Sequence, residues 1–172
     1  MQAPLVALSS FDKTLSRPQQ QMQGNQLLAT LLERHWQRAV SPDSIGRNQH
    51  GAPTLDDGNL HLSLSHSGEH LVAAVYHQPL GVDIEFMNPN RNHQGIWDYI
   101  RHPQEPQAIT DIAQFYRYWT TKEAAWKCAH CQSPSRLSLL GVCDDALALD
   151  CGLTVQPLAA PNEYAMTLVY QP

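Results

Sequence analysis

Lysine is scarce in this chain: the 172 residues hold only Lys13, Lys122 and Lys127. Charged residues make up 16% and the net charge is −5, so the chain lacks the basic surface that general nucleic-acid binding needs. It also lacks an apolar run of membrane-spanning length. The N-terminal MQAPLVALSSFDK has no basic start, and its short apolar stretch contains Pro4, which argues against a secretory signal. There is no internal repeat, low-complexity tract or long linker. These absences predict a cytoplasmic protein without nucleic-acid or membrane partners, whose four cysteines stay reduced.

Hydrophobic residues make up 42%, enough for one ordinary globular domain or two small halves sharing a core. APLVALSS reads as a first strand. Leu27, Leu28, Leu31, Leu32 and Trp36 recur at helical spacing and predict a helix over about 19–39. HGAPTLDDGN reads as a loop or hairpin. Leu60, Leu62 and Leu64 alternate with polar residues as a half-buried strand does, with SHSG breaking it. LVAAVY and LGVDIE follow as strands, and the close succession predicts an antiparallel meander. Ile96 to Ile100 predicts a short helix, and a longer one begins near Asp111. SPSRLSLLGV, GLTVQPLA and EYAMTLVYQ read as late strands. The composite is α+β, helices laid on antiparallel sheet.

Cys128-Ala-His-Cys131 has the spacing of half a zinc site, which would make the chain a zinc-binding interaction module. Cys143 and Cys151 do not supply the other half at metal-binding spacing, and small apolar side chains at a helix end account for the motif more simply. LSHSG has Leu64 where a serine hydrolase elbow needs glycine, which removes that class.

The stretch GVDIE carries a different signal. Val82 and Ile84 share one face of a strand, and Asp83 and Glu85 share the other, where like charges repel. Glu123 and Lys127 stand at i and i+4 on the second long helix, between Trp119 and Trp126. As an exposed ion pair those two would contribute only about 0.3–0.5 kcal/mol. Asp83, Glu85 and Glu123 brought together in a low-dielectric site call for a cation, and hard oxygen ligands select Mg²⁺ or Mn²⁺. Such an ion normally takes substrate phosphates as further ligands, and Lys127 would neutralise phosphate as a point charge.

GVDIE at 81–85 followed by WTTKEAAWK at 119–127 resembles the signature of the 4′-phosphopantetheinyl transferase superfamily, G-[VI]-D and then [WF]-[ST]-x-K-E-[AS]-x-x-K. LSLSHSG at 62–68 is similar to the family's FNLSHSG, and GAPTL at 51–55 to its GKPxL. All four occur in family order. The D-x-E form and the SHS segment look like the longer Sfp/AcpT-type branch; the chain is short for that branch at both ends, which predicts a trimmed first half. The resemblance implies two similar α+β halves with pseudo-twofold symmetry, 1–79 and 80–172, coenzyme A between them, and a monomer. It implies transfer of the phosphopantetheine arm of coenzyme A to a serine of an apo acyl or peptidyl carrier protein, with release of adenosine 3′,5′-bisphosphate. Matching positions would make Asp83, Glu85 and Glu123 the Mg²⁺ ligands, Glu123 the base for the carrier serine, and Lys127 the stabiliser of phosphoryl charge.

His66 stands where the family's SHS histidine meets a coenzyme A phosphate, with Ser65 a neighbouring donor; a capping or core histidine is the plain alternative. Arg47 is either a contact to the 3′-phosphate or a solvated loop arginine. Two departures stand out: Ala52 replaces the lysine of GKP, and Asn25 and Gln26 stand where the family often has an arginine. They motivate the alternative of a non-catalytic coenzyme A- or carrier-binding homologue. Phe86, Met87, Ile96, Trp97 and Tyr99 offer apolar contacts for a carrier, or pack beneath their own loop. Because its charge is repelled by neighbours, removal of Asp83 is expected to spare folding.

Overall fold

A computed structural model of the chain describes residues 3–56, 58–128, 137–138, 140–143, 148–149 and 152–172. Its first half opens with strand β1 (Leu5–Ser10) and helix α1 (Arg17–Trp36). The helix begins where Ser16 N donates to Gln19 Oε1 (3.0 Å) and Pro18 occupies the first turn, a position that needs no N–H. It ends at Trp36, short of the expected 39, because Gln37 adopts a left-handed φ of 50°. Leu28, Leu31 and Leu32 are its buried stripe.

A short hairpin follows, β2 (Gly46–Arg47) against β3 (Pro53–Thr54). Strands β4 (His61–Ser67) and β5 (His70–Tyr76) then form a hairpin. The SHS segment belongs to β4; the chain breaks only at Gly68, whose φ of 56° suits the turn. β5 lies between β1 and β4 in a three-stranded antiparallel sheet on which α1 packs.

The meander stops there. Strand β6 (Leu80–Phe86) does not pair with β5; it joins β10 (Tyr164–Tyr170) in a second antiparallel sheet, ordered β6–β10–β9, where β9 is Thr154–Pro157. Gln171 N donates to Pro79 O (2.9 Å), and the register sets Asp83 opposite Thr167. Alternation in sequence fixes which face a strand buries, not which strand it pairs with. Helix α2 (His93–Ile100) and helix α3 (Ile112–Cys128) follow β6, and α3 lies across β6 and β10. Of SPSRLSLLGV, residues 137–138 form a single 3₁₀ turn and Val142 enters a two-residue strand, β7 (Val142–Cys143), paired with β8 (Ala148–Leu149); the rest is outside the described residues except Leu140 and Gly141. Among the described residues no helix is long and apolar enough to cross a membrane.

Two contacts seat α3. A Cβ on Gly81 would lie 2.0 Å from the Ala124 carbonyl and 2.8 Å from Lys127 Cβ, so only glycine lets the helix come this close. Thr120 Oγ1 and Thr167 Oγ1 share a hydrogen bond of 2.8 Å. Glu123 and Lys127 are thereby carried to the strand that bears Asp83 and Glu85.

Candidate active site

The two sheets meet through serines. Ser63, Ser65 and Ser67 occupy alternate positions of β4, and each reaches β6. Ser63 Oγ accepts from Val82 N (3.0 Å), Ser65 Oγ donates to Asp83 Oδ1 (2.7 Å), and Ser67 Oγ donates to Glu85 Oε2 (3.0 Å) while accepting from Phe86 N (3.0 Å). LSLSHS is therefore a strand whose hydroxyls replace a backbone ladder along β6. That use was readable only as alternation.

Lys127 Nζ donates to Asp83 Oδ1 (2.7 Å) and to Val82 O (3.0 Å). It pairs across the fold, so among the described residues the helical Glu123–Lys127 ion pair does not form. Asp83 is 4% exposed, and its Oδ2 is buried with no hydrogen-bond partner among the described residues. The expectation that removing Asp83 spares folding is corrected: a truncation strands Lys127 and Ser65 in a half-buried site.

Glu85 accepts from the Trp119 indole (3.2 Å) as well as from Ser67. Burial raises its pKa, and Asp83 raises it further against the opposing pull of those hydrogen bonds and Arg91. Glu123 is pushed up to about 7, first by burial, then by Asp83 and more weakly by Glu85, with Lys127 opposing. Asp83 thus opposes the ionisation of both glutamates, and Glu85 that of Glu123. The three carboxylates supply hard oxygens and one orphaned buried acceptor, a donor set whose chemistry fits Mg²⁺ or Mn²⁺. Among the described residues, no three His, Cys, Asp or Glu side chains converge tightly enough to hold a metal as they stand. An ammonium, Lys127, occupies the Asp83 Oδ1 position instead.

A cavity of about 370 Å³ opens beside this cluster, lined by α1, the β2–β3 hairpin, Leu62, Leu64 and His66 of β4, and Trp126 and Lys127 of α3. His66 is exposed on its wall, its ring 4.4 Å from that of Phe11. Burial and then Lys127 lower its pKa, with Asp83 opposing. Arg47 lines the same cavity, hydrogen-bonded to Asn25 rather than loose in a solvated loop. Ser65 turns to Asp83.

The remaining candidates separate. Trp97 is fully buried and donates to Pro106 O (3.0 Å), so it is core; Phe86, Met87 and Ile96 are partly buried, and Tyr99, 68% exposed, is the large apolar residue of that segment left on the surface. Cys128 is a buried side chain at the end of α3, while Cys131 and Cys151 lie outside the described residues. Lys122 turns away from the cavity to Glu105 (2.8 Å), both fully enclosed.

Comparison with known proteins adds an independent line. The family description "4′-phosphopantetheinyl transferase superfamily" matches residues 79–167, which contain GVDIE, α3 and the start of β10. A 4′-phosphopantetheinyl transferase of Bacillus subtilis is 28% identical over 111 residues, 59% of this chain and 47% of that protein. The 4′-phosphopantetheinyl transferase Sfp of Bacillus subtilis (strain 168) is 31% identical over 110 residues, with the same coverage of 59% and 47%. The 4′-phosphopantetheinyl transferase HetI of Nostoc sp. is 31% identical over 88 residues, 45% of this chain and 37% of that protein. The matched stretch spans less than half the length of each of these relatives. Because the family match covers more than half of the 172 residues and includes the carboxylate strand and the helix that faces it, the chain belongs to the 4′-phosphopantetheinyl transferase superfamily.

Proposed function

We propose that the chain transfers the 4′-phosphopantetheine group of coenzyme A to a serine of an apo acyl or peptidyl carrier protein. The observation that carries this reading is the cluster of three mutually repelling carboxylates beside a cavity walled by Lys127, His66 and Arg47. The names of the relatives support the same transfer.

Asp83, Glu85 and Glu123 would hold Mg²⁺. When bound, the ion would polarise the phosphorus centre of the coenzyme A diphosphate. The chain's own residues then have distinct tasks. Glu123 takes the proton of the carrier serine, directly or through a water, at a typical gain of about 10²–10⁴-fold. The serine oxygen forms its bond to the β-phosphorus as the bond to adenosine 3′,5′-bisphosphate breaks. Lys127 leaves Asp83 and stabilises charge on the transferring phosphoryl group and the leaving oxygen. His66 and Arg47 hold coenzyme A phosphates, and Ser65 and Ser67 keep Asp83 and Glu85 in place.

The test is incubation with coenzyme A, Mg²⁺ and a panel of apo carrier proteins, read by mass spectrometry. A phosphopantetheine mass increase on a carrier supports the reading. Coenzyme A binding with no increase on any carrier supports the rival, a non-catalytic binding homologue.

A further inference from the structure

Asp83 and Lys127 neutralise each other at the centre of the carboxylate cluster, and the pair closes on itself. Lys127 Nζ donates to Asp83 Oδ1 (2.7 Å) and to Val82 O (3.0 Å), and Ser65 Oγ donates to the same Asp83 oxygen (2.7 Å). Asp83 Oδ2 is left buried and unpartnered among the described residues. The pair joins β6 to α3 with both side chains largely enclosed, so salt screens it weakly. A monovalent cation therefore already sits on the carboxylate cluster that would hold a divalent one. Beside a divalent ion that comes without a phosphate, Lys127 must either stay close to a second cation or swing into a cavity whose lining holds Arg17, Arg47 and no Asp or Glu. Drawn off by a phosphate that comes without the ion, Lys127 leaves Asp83, Glu85 and Glu123 facing one another uncompensated. With both present, Lys127 yields Asp83 to the ion and gains an anion of its own. Each guest alone meets an opposing charge; the two together do not.

We infer that the Asp83–Lys127 pair is a latch that makes divalent-metal binding and diphosphate binding depend on each other, so that the latched site resists either one alone. The inference rests on the proposed function, which supplies the metal and the coenzyme A diphosphate, and it adds how the two gain entry together. Such coupling is reciprocal: the factor by which coenzyme A tightens the metal is the factor by which the metal tightens coenzyme A. Arg91 marks what is particular to Lys127. Its charge also reaches Glu85, yet its guanidinium lies over Tyr116 and Trp119, 5.8 and 6.0 Å from the ring centroids, and among the described residues it pairs with none of the three carboxylates. Arg91 contributes to the field of the cluster, whereas Lys127 occupies a ligand oxygen.

Calorimetric titration of the full chain with Mg²⁺, with and without coenzyme A and alongside melting curves, tests the latch. In wild type, coenzyme A should tighten Mg²⁺ by about 10–100-fold. Lys127→Met should raise the affinity for Mg²⁺ alone about tenfold while weakening coenzyme A, whereas Lys127→Arg, which keeps a cation there, should stay within about threefold of wild type. Arg91→Gln should raise the affinity for Mg²⁺ alone by about twofold at most, the effect of a nearby charge that blocks no ligand oxygen. Lysine side-chain NMR reads the wild type itself, which has only three lysines. At a Mg²⁺ concentration that saturates the coenzyme A complex, the Lys127 ammonium signal should hold its position in Mg²⁺ alone and shift once coenzyme A is added. A Mg²⁺ affinity unchanged or lowered in Lys127→Met, an equal rise in Arg91→Gln, or a Lys127 signal already shifted by Mg²⁺ alone overturns the latch. Carrier modification that persists beside any of those results leaves the proposed function standing. A wild type that binds no coenzyme A removes that function, while the titrations with Mg²⁺ alone still read the latch.

Discussion

Lys122 and Lys127 lie five residues apart on α3, and each meets a carboxylate, yet the two pairs have different characters. Lys122 is fully buried, bonded to Glu105 (2.8 Å) and to the Leu137 and Leu140 carbonyls. Glu105 accepts in turn from His102 N (2.7 Å) and Val142 N (2.8 Å). Those internal partners tie the loop before α3 to the segment after it. Lys127 keeps 23% of its side chain exposed at a cavity wall, and its partner Asp83 retains an unmatched oxygen. A pair saturated by internal partners holds a fold together; a pair with an unsatisfied atom and an open side is placed to exchange partners.

The largest expected effect breaks the closed pair. Glu105→Ala should cost about 3–5 kcal/mol, because it leaves a buried ammonium unpaired, and chemical denaturation will read it. Gly81→Ala should follow at about 3 kcal/mol, since its Cβ meets the Ala124 carbonyl, with α3 displaced and transfer lost in the same sample. Lys127→Met should cost only about 1–2 kcal/mol while lowering carrier modification by on the order of 10²–10³-fold. Equal stability losses for Glu105→Ala and Lys127→Met would erase the distinction between the two pairs.

The smallest effect is in pH. Glu123 has a folded pKa raised from 4.5 to about 7, so the folded state binds its proton more tightly than the unfolded state does. That contribution is fully present below about 4.5 and is lost as pH rises through about 7. The melting temperature of metal-free protein should therefore fall across this window, and Glu123→Gln should flatten the fall. An unaltered slope in that variant would remove Glu123 from the strained cluster.

Much of the site was legible in the chain. Alternation in GVDIE correctly set Asp83 and Glu85 on a common face, and helical spacing set Glu123 and Lys127 one turn apart. Partner choice was not legible. The i,i+4 spacing favoured an ion pair within α3, but the strand brought close at Gly81 offers Lys127 both a carboxylate and a carbonyl. Likewise Asn25 read as a lost charge, because only the folded loop shows its amide clamping Arg47.

The sequence by itself determined which residues face inward, where the two long helices lie, and the ordered motifs that place the chain in its superfamily. These are local properties, set by side-chain period and residue type. The tertiary structure alone decided that β6 leaves β5 for β10, that Ser63, Ser65 and Ser67 join the two sheets, and that Lys122 is sealed while Lys127 stands at the cavity. Those outcomes depend on contacts between residues distant in the chain, where burial and the supply of partners outweigh any preference encoded in neighbouring positions.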